Sequence, residues 1–191
     1  GLVYFNMGRA DDALKYYKES LRRKNSEAGL QNMALYYDDR GDYSRALEYY
    51  GLVIDRNEHS AFSFLGRGEL FLKLAKKQEA KASFAKAERL ASASIEKNDR
   101  DVTLYLIKAN AYRYLDEQEK AASDYHKVDS IYSNLIEKFP KAPRLYRLRG
   151  EAFMQKEEYQ KAYDDFDQSF KMDTLFLYTK KLRDRAKANL Q

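Results

Sequence analysis

The sequence predicts an all-α chain built of antiparallel helix pairs, on three observations. Only 8 Gly and 2 Pro interrupt 191 residues, while Ala, Leu, Lys, Glu and Arg, which lose little on entering a helix, abound. No stretch alternates apolar and polar residues as a solvent-faced strand does. A pattern of small residue, ring, Ala and ring, at steps of three, nine and four, occurs five times. Its copies are Gly1, Tyr4, Ala13, Tyr17; Ala34, Tyr37, Ala46, Tyr50; Gly68, Phe71, Ala80, Phe84; Ala109, Tyr112, Ala121, Tyr125; and Gly150, Phe153, Ala162, Phe166. Each helix of a pair then sets a small residue against a ring, which lets the two cross closely.

Taken in order, Gly1 to Met7 reads as the second half of a helix whose first half is missing, so the chain is expected to be a fragment with an apolar end face open to self-association. Ala10 to Lys24 is a complete helix with Leu14, Tyr17, Ser20 and Leu21 on one side. Ser26 is placed to cap the next helix, which carries Leu30, Met33, Ala34 and Tyr37; Arg40-Gly41 stops it and Asp42 caps its partner. The motif alanines then advance by 33 and 34 residues, and by 41 in each of the last two steps. Seven extra residues are two helical turns. They fall after the second helix of the third and fourth copies, giving apolar edges at Ala91 and Ile95 and at Ile131, Leu135 and Phe139. Pro143 suits the first turn of the following helix. Asp173-Thr174 is expected to cap a last helix with Leu175, Tyr178, Leu182 and Ala186 on its buried stripe and Lys180, Lys181, Arg183, Arg185 and Lys187 opposite.

Composition narrows the function classes. With no cysteine there is no disulfide, zinc-thiolate or thiol chemistry, and the compartment stays open, with the cytoplasm favoured. No run approaches the ~20 apolar residues of a membrane helix, so no membrane insertion is expected. No nucleophile–base pair, metal-ligand spacing or phosphate loop is present, which predicts a protein that is not an enzyme and holds no cofactor or metal. His59 and His126 read as surface or cap residues, and Asp164, Asp165 and Asp167 as a solvated helix face. The net charge is +5, and residues 141–191 hold 12 Lys plus Arg against 8 Asp plus Glu. Stacking of the 17 Tyr and 10 Phe on nucleic acid is disfavoured, because ten rings occupy motif positions and the basic excess sits on the capping helix.

The motif and its period of about 34 residues resemble the tetratricopeptide repeat. The resemblance covers the chain as one array: a truncated repeat at 1–25, repeats at 26–58, 59–99, 100–140 and 141–172, and a capping helix at 173–191. It implies a right-handed α-solenoid whose first helices line a concave groove that holds a protein or peptide. On that model the partner-binding stripe, stepping by three or four residues, is Gln31, Leu35 and Asp38; Phe62, Leu65, Glu69 and Leu72; Leu106, Asn110 and Arg113; and Arg144, Arg147 and Glu151. Its character runs from acidic through apolar to basic, which points to a partner segment with apolar anchors and an acidic stretch. The family's clamp for chaperone tails is not matched: Asn32 falls where one clamp Asn belongs, but Phe62, Gly66 and Leu106 stand where basic residues are needed. Two functions follow from the resemblance: a non-catalytic binding scaffold, or a sensor or docking module of a larger bacterial signalling or transcription-regulatory protein.

Overall fold

The computed structural model describes residues 10–24, 26–99 and 101–190. Ten helices are found among them: α1 (Ala10–Lys24), α2 (Glu27–Asp39), α3 (Tyr43–Arg56), α4 (Ala61–Lys73), α5 (Lys77–Lys97), α6 (Val102–Tyr114), α7 (Gln118–Lys138), α8 (Pro143–Gln155), α9 (Tyr159–Met172) and α10 (Leu177–Ala188). No strand occurs among the described residues. The expected half-helix at Gly1 to Met7 lies outside them.

Helices start and stop where local chemistry directs. Ser26 Oγ accepts from Gly29 N–H at 3.1 Å, and Asp42 Oδ1 from Arg45 N–H at 3.2 Å, each satisfying a first-turn donor. Four first helices end in the same way. Gly41, Ala75, Asp116 and Glu157 adopt φ of 73°, 58°, 65° and 62°. The next residue's N–H returns to the motif ring's carbonyl: Asp42 to Tyr37 at 2.9 Å, Lys76 to Phe71 at 2.8 Å, Glu117 to Tyr112 at 2.9 Å and Glu158 to Phe153 at 3.0 Å. This left-handed stop absorbs orphan carbonyls and turns the chain back for its partner helix.

The chain divides into two compact units: residues 1–100 with 111–117, and residues 101–110 with 118–191. In the first, α2 packs on α3 and α4 on α5, while α1 packs on α2 and α3 on α4. Its core holds Tyr17, Met33 and Tyr36 in one cluster and Ala34, Ala46, Tyr50 and Leu70 in another. In the second, α8 packs on α9, α7 on α8, and α10 on α9 and α8. Phe153, Ala162, Phe166 and Ala186 form a core cluster there, with Leu182 against it. The small-against-ring rule holds in both. A Cβ added to Gly68 would lie 2.5 Å from Phe84, and one added to Gly150 would lie 2.7 Å from Phe166.

Two long helices carry the added turns: α5 and α7 have 21 residues each, against 14 for α3 and α9. The apolar edge on α7 is shorter than expected, since Phe139 lies past the helix end and is 59% exposed. The last helix also departs from expectation. Asp173 Oδ1 takes the N–H of Leu175, two residues on, which forms a turn and delays the helix to Leu177. Leu175 is therefore 90% exposed instead of buried. Ala186 and Leu182 do reach the core, whereas Arg183 leaves the open face to bind Asp167 at 3.1 Å.

Candidate functional site

The first helices of each unit are tied together by side-chain bonds, and these fix where the predicted stripe residues point. In the first unit Lys73 of α4 pairs with Asp38 of α2. Tyr114 of α6 donates its hydroxyl to Glu69 of α4 at 3.2 Å. Gln31 donates to Glu27 at 3.1 Å and to Ser60 at 3.4 Å, and Asn57 holds the other Glu27 oxygen at 3.0 Å. Between these links lie Leu35 and Phe62, half-buried, and Leu72, exposed; Phe62 sets its edge against Tyr50, with ring centroids 6.5 Å apart. Burial pushes the Glu69 carboxyl above the usual range, opposed by the Tyr114 hydroxyl and by Lys73. Arg113 lies over the ring of Tyr114 at 4.7 Å. Leu65 sits apart from the exposed members of the stripe: it is 7% exposed, a core residue of α4.

In the second unit the link takes another form. Asn110 of α6 donates to Gln155 of α8 at 2.6 Å and accepts from Tyr125 of α7 at 2.5 Å. With 7% exposure and both groups engaged, Asn110 is a structural connector, and not the open contact its place on the stripe suggested. Leu106, four residues earlier, is half-buried and Arg144 is exposed. Arg147 donates through Nη1 to Glu151 and stands over Phe176 at 5.6 Å and Tyr178 at 5.9 Å. Burial pushes the Glu151 carboxyl up, and Arg147 pulls it back. The basic character expected of this end therefore rests on Arg144, since Arg147 is already matched by a carboxylate.

A second set of charges, not read from the sequence as a unit, crosses each helix pair of the second unit. Arg149 of α8 grips Asp165 of α9 with two bonds of 2.7 Å each, and adds Ser133 of α7 at 3.0 Å. Lys108 meets Asp124 at 3.2 Å. Asp165, expected on a solvated face, is 5% exposed. Burial pushes its carboxyl up while the Arg149 fork draws it back. Lys156 bridges Asp129 at 2.7 Å and Glu158 at 2.9 Å. These pairs join neighbouring helices of the second unit.

His59 and His126 are exposed. Among the described residues no group of three or more His, Asp or Glu side chains is placed to hold a metal ion, and no helix is long and apolar enough to cross a membrane.

Comparison with known proteins bears on the fold. Two family models described as tetratricopeptide repeat match the chain, at residues 32–95 and 1–29. The photosystem I assembly protein Ycf3 of Prochlorococcus marinus (strain NATL1A) is 38% identical over 61 residues, 30% of this chain and 35% of that protein. The match thus spans about a third of the relative's length. The crystal structure of a thermophilic tetratricopeptide-repeat protein from Thermus thermophilus aligns with a TM-score of 0.62 at 18% identity, covering 100% of this chain and 95% of its own. At that identity the likeness establishes the fold and nothing finer.

Proposed function

Because the chain belongs to the tetratricopeptide-repeat family, we propose that it is a protein-interaction scaffold whose first helices present the binding surface to a protein or peptide segment. One observation carries this reading. The α2, α4 and α6 surfaces of the first unit are joined by bonds from Asp38 to Lys73 and from Tyr114 to Glu69, with Leu35, Phe62 and Leu72 at or near the surface around them. A face on which Asp38, Glu69 and Gln31 are already bonded to neighbours binds with little ordering cost. Leu72, Phe62 and Leu35 are the apolar anchors, while Gln31, Asp38, Glu69 and Arg113 set orientation at their rim. In the second unit Leu106, Arg144, Arg147 and Glu151 offer a face of different character. The kinship with a photosystem I assembly protein supports a scaffold role.

Capture of partners from lysate by this chain, followed by mass spectrometry and titration calorimetry with each purified candidate, tests the reading. Leu72→Glu is expected to weaken the complex by about 1 to 3 kcal/mol, because it sets a charge against an apolar anchor. A partner that binds Leu72→Glu and Phe62→Ala as tightly as the unsubstituted chain would place the interaction elsewhere.

A further inference from the structure

Helix α10 helps to enclose a pocket. Pro143, Arg144 and Arg147 of α8, Ser169 of α9, Asp173 of the turn, and Phe176 and Thr179 at the start of α10 surround a pocket of about 210 Å³ within the second unit. We propose that this pocket receives one acidic side chain of a partner polypeptide, with the apolar neighbours of that side chain resting on Leu175 and Leu177 outside it. The inference rests on the scaffold reading and adds a location and a chemistry to it.

Charge selects a carboxylate. Arg144 is exposed, and among the described residues no carboxylate pairs with it. Arg147 spends only Nη1 on Glu151, and a guanidinium carries five N–H donors, so most of its fork is unused. Its plane is already held over Phe176 and Tyr178, which removes much of the rotamer entropy that a free arginine would lose on binding. Asp173 is the acidic member of the lining, and one of its oxygens is occupied by the Leu175 N–H. The buried Ser169 and Thr179 complete the wall.

Size and surroundings select a side chain within a polypeptide. A space of about 210 Å³ accommodates a single side chain, well below the ~300 to 1,000 Å³ of small-molecule sites. Leu175, Phe176 and Leu177 are exposed by 90%, 37% and 51%, consecutive apolar residues that a free carboxylate would leave in water. A segment with Glu between apolar residues would fill the pocket and cover that run together. The delayed start of α10 is what makes this arrangement, because it puts Phe176 at the helix edge and Leu175 in solvent.

The test is titration calorimetry of the whole chain with an acetylated, amidated heptapeptide carrying one central Glu flanked by Leu, and with its Gln counterpart. The Glu peptide is expected to bind about tenfold more tightly than the Gln peptide, as one charge-assisted bond pair would give. Arg144→Gln, at an exposed position, should erase that discrimination without lowering the melting temperature. Leu175→Ser should weaken both peptides equally. Equal binding of the two peptides, discrimination that survives Arg144→Gln, or binding of neither peptide would overturn the pocket. A captured partner that is lost with Leu72→Glu but unaffected by Arg144→Gln would also overturn it, while leaving the scaffold reading standing.

Discussion

Arg67 in the first unit and Arg149 in the second occupy the same place in the repeat, immediately before the small residue, yet they live in different electrostatic surroundings. Lys108 falls 41 residues after Arg67 and Arg149 another 41 on; Ser83, Asp124 and Asp165 keep the same steps on the partner helices. Lys108 and Arg149 each find their carboxylate, at 3.2 and 2.7 Å. Arg67 has Ser83 at the matching position instead. Its guanidinium lies over Phe64 at 4.7 Å, Lys86 shares that ring at 5.8 Å, and its Nε is buried without a hydrogen-bond partner. Burial pulls the Arg67 guanidinium below its ordinary value, while the Asp165 bonds raise that of Arg149. The period therefore specifies the crossing, with its small residue against a ring, but leaves the flanking pair free to be an ion pair or not. In the second unit that freedom has become a brace; in the first, Arg67 and Lys86 meet the Phe64 ring instead of a carboxylate.

The largest effect expected from breaking this contrast is at Asp165→Leu. It strips the fork from Arg149 and leaves a cation in a mostly buried place. Complete burial would cost about 3 to 5 kcal/mol, and since the Arg149 side chain keeps 20% exposure a loss of about 2 to 4 kcal/mol is expected in chemical denaturation. Adding Arg149→Met should restore most of it. A double variant no better than the single one would mean that the pair orders the crossing through geometry that an apolar contact cannot replace.

Next comes the feature the units share. Gly68→Ala and Gly150→Ala each drive a Cβ to within 2.5 and 2.7 Å of Phe84 and Phe166, so the rings must shift. Overpacking costs about 1 to 3 kcal/mol, offset by up to ~1 kcal/mol of helix propensity. Similar losses in both units, read from melting of each variant, would show that the crossing is equivalent with or without an ion pair beside it. A large loss only at Gly68 would show that the ion pair in the second unit buffers a strained crossing.

How far each feature was legible in the sequence follows from how local its cause is. The fold was legible because small residue and ring recur within about twenty residues of one another; of the four left-handed stops only Gly41 announces itself by residue type, and Ala75, Asp116 and Glu157 show theirs in the structure. The stripe was legible only in part. Helical spacing aligned Leu65 and Asn110 with exposed neighbours, but Leu65 is covered by its surroundings and Asn110 is claimed by Tyr125 and Gln155, the latter 45 residues away. Asp165 was misread because its burial depends on a partner 16 residues earlier; the signal was present in the recurrence of Lys108 with Asp124 and Arg149 with Asp165. The pocket around Phe176 had no such trace. It forms where three helices and a turn meet, and its shape depends on Asp173 delaying a helix by two residues.

Ser83→Asp sharpens the contrast from the other side, by giving the first unit the carboxylate that the second has. By register the new side chain should approach Arg67, and Lys86 lies three residues further along the same helix. The desolvation cost of a buried carboxylate opposes the gain, so a net stabilisation of about 1 kcal/mol or less is expected, vanishing when pH falls low enough to protonate the aspartate. Destabilisation at neutral pH would show that Arg67 is anchored to Phe64 too firmly to turn.

The smallest effect belongs to the turn that both units repeat. Gly41 takes the left-handed conformation without a steric cost, whereas Ala75 holds φ 58° with a Cβ that crowds the following carbonyl. That strain is worth about 1 to 2 kcal/mol, and glycine returns roughly 0.5 to 1 kcal/mol of it as entropy gained by the unfolded chain. Ala75→Gly should therefore stabilise by ~0.5 kcal/mol, seen as a small upward shift in the denaturation midpoint. Glu157→Gly makes the same backbone change in the second unit, but a charged side chain is lost with it, so its gain should be smaller. If Ala75→Gly instead lowers stability, the turn tolerates its alanine because the Lys76 bond to Phe71 already over-determines the conformation, and the stop is held by the helices it joins more than by the residue in it.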